Sequence, residues 1–162
     1  MGLGKALSEA VMSMDTSDPL VRKMHIKMSG CPNGCGQHHI ADIGFHGAAA
    51  KGPGGQVPAY ELFLGGSFDG GDTRIGQRVK TKIPAKSVPD ALKRIITQYK
   101  SKRNKQEQFK DYVVRVGVEN IETILADFKE IPDLNRESLD YYMDWEKTVK
   151  YQLDRGEGEC AV

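Results

Sequence analysis

The spacing of hydrophobic residues changes along the chain, and each change predicts a different element. Apolar residues recur at helical intervals over residues 4–14, which predicts an amphipathic helix. Over residues 20–29 they alternate with polar residues, which predicts a strand with one buried face. This strand runs directly into Gly30 and a short segment rich in Gly and Cys.

Short apolar segments that follow predict three more strands, over residues 40–47, 60–64 and 74–83. The segment 48–58, rich in Gly, Ala and Pro, is interpreted as a loop, and 65–72 as a glycine-rich turn. We expect consecutive strands to be antiparallel neighbours. Three side chains of the last strand are expected to point inward: Ile75, Val79 and Ile83.

The strongest helix prediction covers residues 87–102, with weaker helices over 106–116 and 121–128. Ser87 can cap the first of these, Pro89 suits its first turn, and Asp90 complements the positive end of the helix dipole. Five residues at helical spacing are expected to form its buried stripe: Val88, Leu92, Ile95, Ile96 and Tyr99.

These elements predict an α/β fold of the α+β type, with a mostly antiparallel sheet and helices packed on one side. Beyond Pro132 the chain becomes more polar. We expect a domain over residues 1–130 and an extended C-terminal arm over 131–162, which packs on this domain or on another part of a larger protein. Aromatic residues along the arm could anchor it: Tyr141, Tyr142, Trp145 and Tyr151.

Composition argues against several classes of protein. Among 162 residues, 39% are hydrophobic and 28% charged, and the formal net charge is +1. Such a chain has no strong field for nucleic acid or membrane surfaces. It contains no apolar run long enough for a membrane span and no secretory signal pattern, so we expect a cytoplasmic protein without nucleic-acid or membrane partners.

The cysteines carry the candidate chemistry. Cys31 and Cys35 lie within residues 29–36, Ser-Gly-Cys-Pro-Asn-Gly-Cys-Gly, whereas Cys160 lies near the C-terminus. Two thiolates at this spacing can reach two corners of one iron–sulfur cubane, but a [4Fe–4S] cluster is held by four. Two alternatives remain open: structural or regulatory thiols, and half of a zinc site with His38 or His39 nearby.

The segment Lys-Met-Ser-Gly-Cys-Pro-Asn-Gly-Cys-Gly-Gln-His-His, with the residues up to 47, closely resembles the second cysteine motif of siroheme-dependent nitrite and sulfite reductases. The resemblance continues through residues 60–66, 73–79 and 109–117, in the order found in that family's C-terminal region. The closing residues 155–162 resemble the end of ferredoxin-type bacterial members.

This resemblance implies roles for three residues. Cys31 and Cys35 match the family's second pair of cluster ligands, and Cys35 matches the one that also bridges to the siroheme iron. Asn33 matches a residue that lies against the siroheme. The implied activity is the six-electron reduction of nitrite to ammonia or of sulfite to sulfide, with siroheme and a [4Fe–4S] cluster as cofactors. No residue of this chain is assigned a certain catalytic role.

The family's first cysteine pair and its anion-binding cations have no counterpart here. We therefore expect the N-terminal portion of a reductase as a partner, and little activity from this chain alone. A ferredoxin-like electron donor is implied, for which one basic cluster could form a docking patch, although an ordinary solvated helix end is favoured. The cluster comprises Lys93, Arg94, Lys100, Lys102, Arg103 and Lys105.

Histidines are the remaining candidates, because the reduction consumes protons. The favoured interpretation is nevertheless that they are ordinary residues of the sheet surface. The four histidines are His25, His38, His39 and His46.

Overall fold

The computed structural model describes residues 2–14, 17–69 and 71–153. Helix α1 covers Gly2–Met12, close to the predicted range. The predicted strand over residues 20–29 is wrong in its first half. Asp18 accepts a hydrogen bond from the amide of Leu20, and Pro19 occupies the first turn of a short helix, α2 (Pro19–Arg22). Strand β1 covers only Ile26–Ser29.

The sheet contains β1, β2 (Ile43–Gly52), β3 (Gly55–Leu64), β4 (Gln77–Arg78) and β5 (Ile83–Pro84). Its order is β1-β2-β3-β4, and β5 also pairs with β3. The sheet is mostly antiparallel, as predicted. The expectation that consecutive strands are antiparallel neighbours is wrong for β1 and β2, which are parallel. The chain between them does not turn back but crosses over one sheet face, as a parallel connection requires.

The predicted loop over residues 48–58 is instead the tip of a paired hairpin. Strands β2 and β3 stay in register as far as Gly52 opposite Gly55. Small residues are needed there because the C-terminal segment lies against them. A Cβ at Gly52 would be 2.6 Å from Ile131 Cγ2, and one at Gly54 would be 2.1 Å from Leu134 Cβ. The glycines therefore mark close packing rather than an open loop.

Three helices follow the sheet: α3 (Val88–Lys102), α4 (Phe109–Val116) and α5 (Val118–Ile124). A 3₁₀ turn, Ala126–Lys129, takes up the end of the last predicted helix. The whole predicted stripe of α3 is buried, which confirms the helical spacing.

Two residue-level predictions in this region are wrong. Ser87 does not cap α3, because it has helical dihedral angles and its hydroxyl lies 3.3 Å from that of Tyr141. Ile75 is 67% exposed, because it precedes the short strand β4 rather than lying within a continuous strand. Val79 and Ile83 are buried as predicted.

Side chains of β2 and β3 alternate between two different environments. On one face, Ile43 opposite Leu64 and Phe45 opposite Leu62 are buried in the core with residues of α1, α3 and α4. The opposite face carries Gly44 beside Phe63 and His46 beside Glu61. The α-helices thus cover one side of the sheet, and the polar side chains of His46 and Glu61 lie on the other side.

The described part of the C-terminal segment packs on this domain. The Tyr142 side chain is fully buried; its hydroxyl donates to the carbonyl of Pro132 (2.8 Å) and accepts from the amide of Gly54 (3.1 Å). The indole of Trp145 donates to the carbonyl of Ala85. In the described ranges we find no helix with the length and apolar character of a bilayer span.

Candidate functional site

Cys31 and Cys35 lie in the turn that follows β1 and precedes a 3₁₀ helix, His38–Ile40. Neither forms a disulfide; Cys31 is half-buried and Cys35 is exposed. A cysteine that serves as a small core residue is normally buried. The exposure of Cys35 therefore argues against a purely structural role and leaves its sulfur accessible to a ligand.

Tight backbone geometry closes this turn. Gly34 has a φ of 75°, a conformation that L side chains rarely adopt, and its carbonyl accepts the amide of Gln37 at 2.7 Å. A Cβ at Gly36 would lie 1.9 Å from the carbonyl oxygen of Met28. The glycines thus let the chain fold back against the end of β1, so that the two cysteines are carried on one compact loop.

A buried hydrogen-bond network lies beneath the turn. The hydroxyl of Ser29 accepts the amide of Gly36 at 3.0 Å and lies 2.8 Å from Nδ1 of His38. Both side chains are buried. The network joins the residue after Cys35 to the last residue of β1.

His38 lies among other aromatic rings. Its ring centroid is 3.9 Å from that of His39, 5.0 Å from His46 and 5.1 Å from Phe63. Burial, together with the neighbouring charges of His39 and His46, lowers the pKa of His38 to about 4. The imidazole is therefore neutral at ordinary pH.

Glu61 links this cluster to two cations. Its carboxylate lies 3.3 Å from Nε2 of His46, 2.6 Å from the guanidinium of Arg78 and 3.7 Å from the ammonium of Lys82. The Glu61 side chain is only 10% exposed, so three positive or polar partners compensate its burial. Sequence reasoning missed Glu61 and Arg78, because only the register of β2, β3 and β4 places them beside His46.

The structure brings together three of the four histidines and separates the fourth. His25 lies near the carboxylates of Asp42 (3.7 Å) and Asp69 (3.6 Å), with its ring 4.7 Å from that of Phe68. Burial raises the pKa of Asp42. The hydrogen bond from the His25 amide and the charge of His25 partly offset that rise. His25 is thus not a member of the cluster beside the cysteine turn.

Among the described residues, no three His, Cys, Asp or Glu side chains converge as ligands for one metal ion. The cysteine turn by itself therefore offers two thiols and no complete metal site among the described residues. Two free thiols on one glycine-closed loop fit two of the four thiolates that hold a [4Fe–4S] cluster. Cys160 lies outside the described residues.

Part of the basic cluster at the end of α3 is neutralised by acids on neighbouring elements. Arg94 pairs with Asp127 at 2.5 Å, and Arg103 pairs with Asp18 at 2.6 Å. Burial alone would raise the pKa of Asp18, but hydrogen bonds from Leu20 and Arg103 lower it below its usual value. These ion pairs favour a structural role for this part of the helix surface.

Comparison with known proteins assigns the family. Residues 1–131 match the model of the nitrite and sulphite reductase 4Fe-4S domain. The chain therefore belongs to the nitrite and sulphite reductase 4Fe-4S domain family, which confirms the resemblance seen in the sequence.

Individual relatives agree with this assignment. The sulfite reductase [NADPH] hemoprotein beta-component of Staphylococcus carnosus is 40% identical over 104 residues, 64% of this chain and 17% of that protein. The protein of the same name from Bacillus licheniformis is 38% identical over 93 residues, 57% of this chain and 15% of that protein. This chain is thus similar to a small part of much longer hemoproteins.

A solved structure supports the fold. The NirA protein of Mycobacterium tuberculosis superposes with a TM-score of 0.61 and 27% sequence identity, over 74% of this chain and 22% of that chain. The mixed α+β architecture, with a sheet covered by helices, is therefore that of the family.

Proposed function

We propose that this chain forms part of a siroheme- and [4Fe–4S]-dependent reductase, to which it contributes Cys31 and Cys35 as two of the four cluster ligands. One observation carries the proposal: a half-buried and an exposed free thiol share one tight turn, in a chain whose family is defined by a 4Fe-4S domain. Thiolates are the protein ligands of such clusters.

Within this proposal the two cysteines have different roles. Cys31 binds the cluster alone, whereas the sulfur of Cys35, the more exposed of the two, is shared with the siroheme iron. Asn33, also exposed, contacts the siroheme. When bound, the two cofactors would pass on six electrons from an external electron donor, which reduce nitrite to ammonia or sulfite to sulfide. The chain itself holds iron and orients the turn.

We further propose that the rest of a reductase binds along the open edge of β1. Among the described strands, β1 pairs with β2 only, so its other edge is available for a further strand. An apolar groove of about 240 Å³ runs between α1 and β1, and Met12 at its end is 82% exposed. Its lining includes Gly4, Leu7, Val11, Met12, Ile26 and Met28.

The position of this groove suggests which part of the reductase occupies it. A second cleft, which shares Gly4 and Met28 with the groove, extends to Ser29 and Gly30 at the base of the cysteine turn. A segment along β1 would therefore reach the turn, where the other two cluster ligands are needed. The relatives, of which this chain covers 15% and 17%, are long enough to supply it.

We also propose four further features of this protein. They are a domain over residues 1–130 with an arm over 131–162, a ferredoxin-like electron donor, a cytoplasmic location and low activity of the chain alone.

The proposal can be tested with a chimera. The matched stretch of the Staphylococcus carnosus hemoprotein is replaced by residues 1–131 of this chain, and the product is purified and analysed for iron, sulfide and siroheme. We expect both cofactors in the chimera. Cys31→Ser and Cys35→Ser should each lose the cluster and, with it, the magnetic coupling to the siroheme iron.

Two results would contradict the proposal. One is a folded chimera without siroheme absorption, and the other is a chimera in which both cysteine variants keep the coupled spectrum. Stoichiometric zinc in the purified chain, lost in either cysteine variant, would instead support the zinc alternative.

A further inference from the structure

We propose that Ser29 and His38 are positioning residues that hold the cysteine turn in its ligand-binding shape before any metal is bound. The inference deepens the proposed function and rests on it, because it concerns the same two thiols. It is carried by a buried side-chain network that ties the two ends of the turn together.

The Ser29 hydroxyl lies where it can bond to the far end of the cysteine turn. Ser29 is the last residue of β1, two positions before Cys31, and Gly36 directly follows Cys35. The hydroxyl accepts the amide hydrogen of Gly36 at 3.0 Å. One side chain therefore closes the segment that contains both cysteines, and the absence of a Cβ at Gly36 permits this approach.

The hydroxyl hydrogen of Ser29 is oriented toward His38. A hydroxyl has one hydrogen to donate. Since the amide of Gly36 already donates to the oxygen, the hydroxyl hydrogen can point to Nδ1 of His38, 2.8 Å away. The opposite assignment, in which Nδ1 donates to the serine oxygen, would leave the hydroxyl hydrogen without its bond to Nδ1, whereas Nε2 has no partner among the described residues in either case. The arrangement requires a neutral His38 protonated at Nε2, in agreement with its lowered pKa.

His38 is itself held against the sheet. The 3₁₀ helix that begins with His38 lies directly on β2, since a Cβ at Gly44 would be 1.9 Å from the His38 carbonyl oxygen. The rings of Phe63 and His46 pack beside the imidazole, and His46 is in turn held by Glu61. His38 is thus fixed to the sheet, and through Ser29 it fixes the turn.

Amide hydrogen exchange in the full chain tests this network directly. In Ser29→Ala, exchange of the Gly36 amide should accelerate about tenfold, because a hydrogen bond of ordinary strength is lost. The ¹⁵N shifts of His38 should change as well, since Nδ1 loses its donor. Ser29→Thr keeps a hydroxyl and should restore slow exchange and the original shifts.

Ser87→Ala provides the matched control. Ser87 is similarly buried, and its hydroxyl lies near that of Tyr141 rather than the turn. This variant should leave the Gly36 amide and the His38 shifts unchanged. If Ser29→Ala fails to fold, His38→Phe keeps an aromatic ring but removes Nδ1, and the Gly36 amide should again exchange faster.

An unchanged Gly36 amide in Ser29→Ala, or in His38→Phe, would overturn the positioning role. That outcome is distinct from failure of the proposed function, which would appear as a chimera without cluster or siroheme while the exchange result still stands. In a loaded chimera, Ser29→Ala should also shorten the lifetime of the cluster's visible absorbance several-fold relative to Ser87→Ala.

Discussion

At the residue scale, His38 shows how far an environment can change the chemistry of a side chain. The sequence interpretation treated it as an ordinary histidine of the sheet surface. The structure buries it completely, beside Ser29 and under the rings of His46 and Phe63. Burial penalises the charged imidazolium, so the folded state favours the neutral form.

The lowered pKa of His38, about 4, makes stability depend on pH. As pH falls below 6.5, His38 becomes protonated in the unfolded chain, whereas in the folded chain it stays neutral until about pH 4. The free energy of unfolding therefore decreases across this pH window. Between pH 7 and pH 5 the wild type should lose about 2 kcal/mol more than His38→Phe, which lacks this group. Urea unfolding at both pH values measures the difference. Equal losses in the two proteins would contradict it.

At the element scale, the cysteine turn and the β2–β3 hairpin both depend on glycines, for different reasons. In the hairpin, Gly52 and Gly54 leave room for Ile131 and Leu134 of the C-terminal segment. In the turn, Gly36 lets the backbone contact the end of β1. Glycine content alone indicated irregular structure in both places, but the hairpin is paired strand up to the two residues at its tip.

Two glycines on either side of the cysteines offer a matched test. A Cβ at Gly36 would be 1.9 Å from a backbone oxygen, whereas one at Gly30 would meet no atom within 4 Å. Gly36→Ala should therefore destabilise the chain by about 2–3 kcal/mol, through displacement of the turn. Gly30→Ala should change the free energy of unfolding by less than about 0.5 kcal/mol. Similar losses in both variants would show that the turn is not closed in this way.

At the scale of the whole molecule, the open edge of β1 and the groove beside it give the proposed assembly a defined surface. Ile26 and Met28 are only half-buried, and Met12 is exposed. Leu3 and Leu7 of α1 are packed into the core, and Leu7 also borders the groove. One side of α1 thus stabilises this domain, and the other side is available to a partner.

A charge placed in this groove should weaken assembly without unfolding the chain. Met12→Glu should weaken binding to the Staphylococcus carnosus hemoprotein that lacks its matched stretch by about tenfold or more, because a carboxylate would be buried against apolar groups. Val114→Glu is the control, since Val114 is 62% exposed on α4, outside the groove. Titration calorimetry compares the two Kd values. Equal Kd values would exclude the groove as the binding surface.

The sequence by itself determined the local features of this protein. The buried stripe of α3 followed from helical spacing, because that pattern depends only on neighbours within a few residues. The cysteine turn was visible for the same reason, since Cys31 and Cys35 are close along the chain. The family could also be recognised from such a contiguous motif.

Only the tertiary structure decided which distant residues share the site. The parallel pairing of β1 and β2 resulted from a crossover that no local period reveals. Strand register then placed Glu61 beside His46 and Arg78. The same crossover placed His38 under the turn, whereas His25 lies near Asp69 and apart from the other histidines. Such contacts depend on how strands align over long sequence separations, and the spacing of residues within one segment carries no information about that alignment.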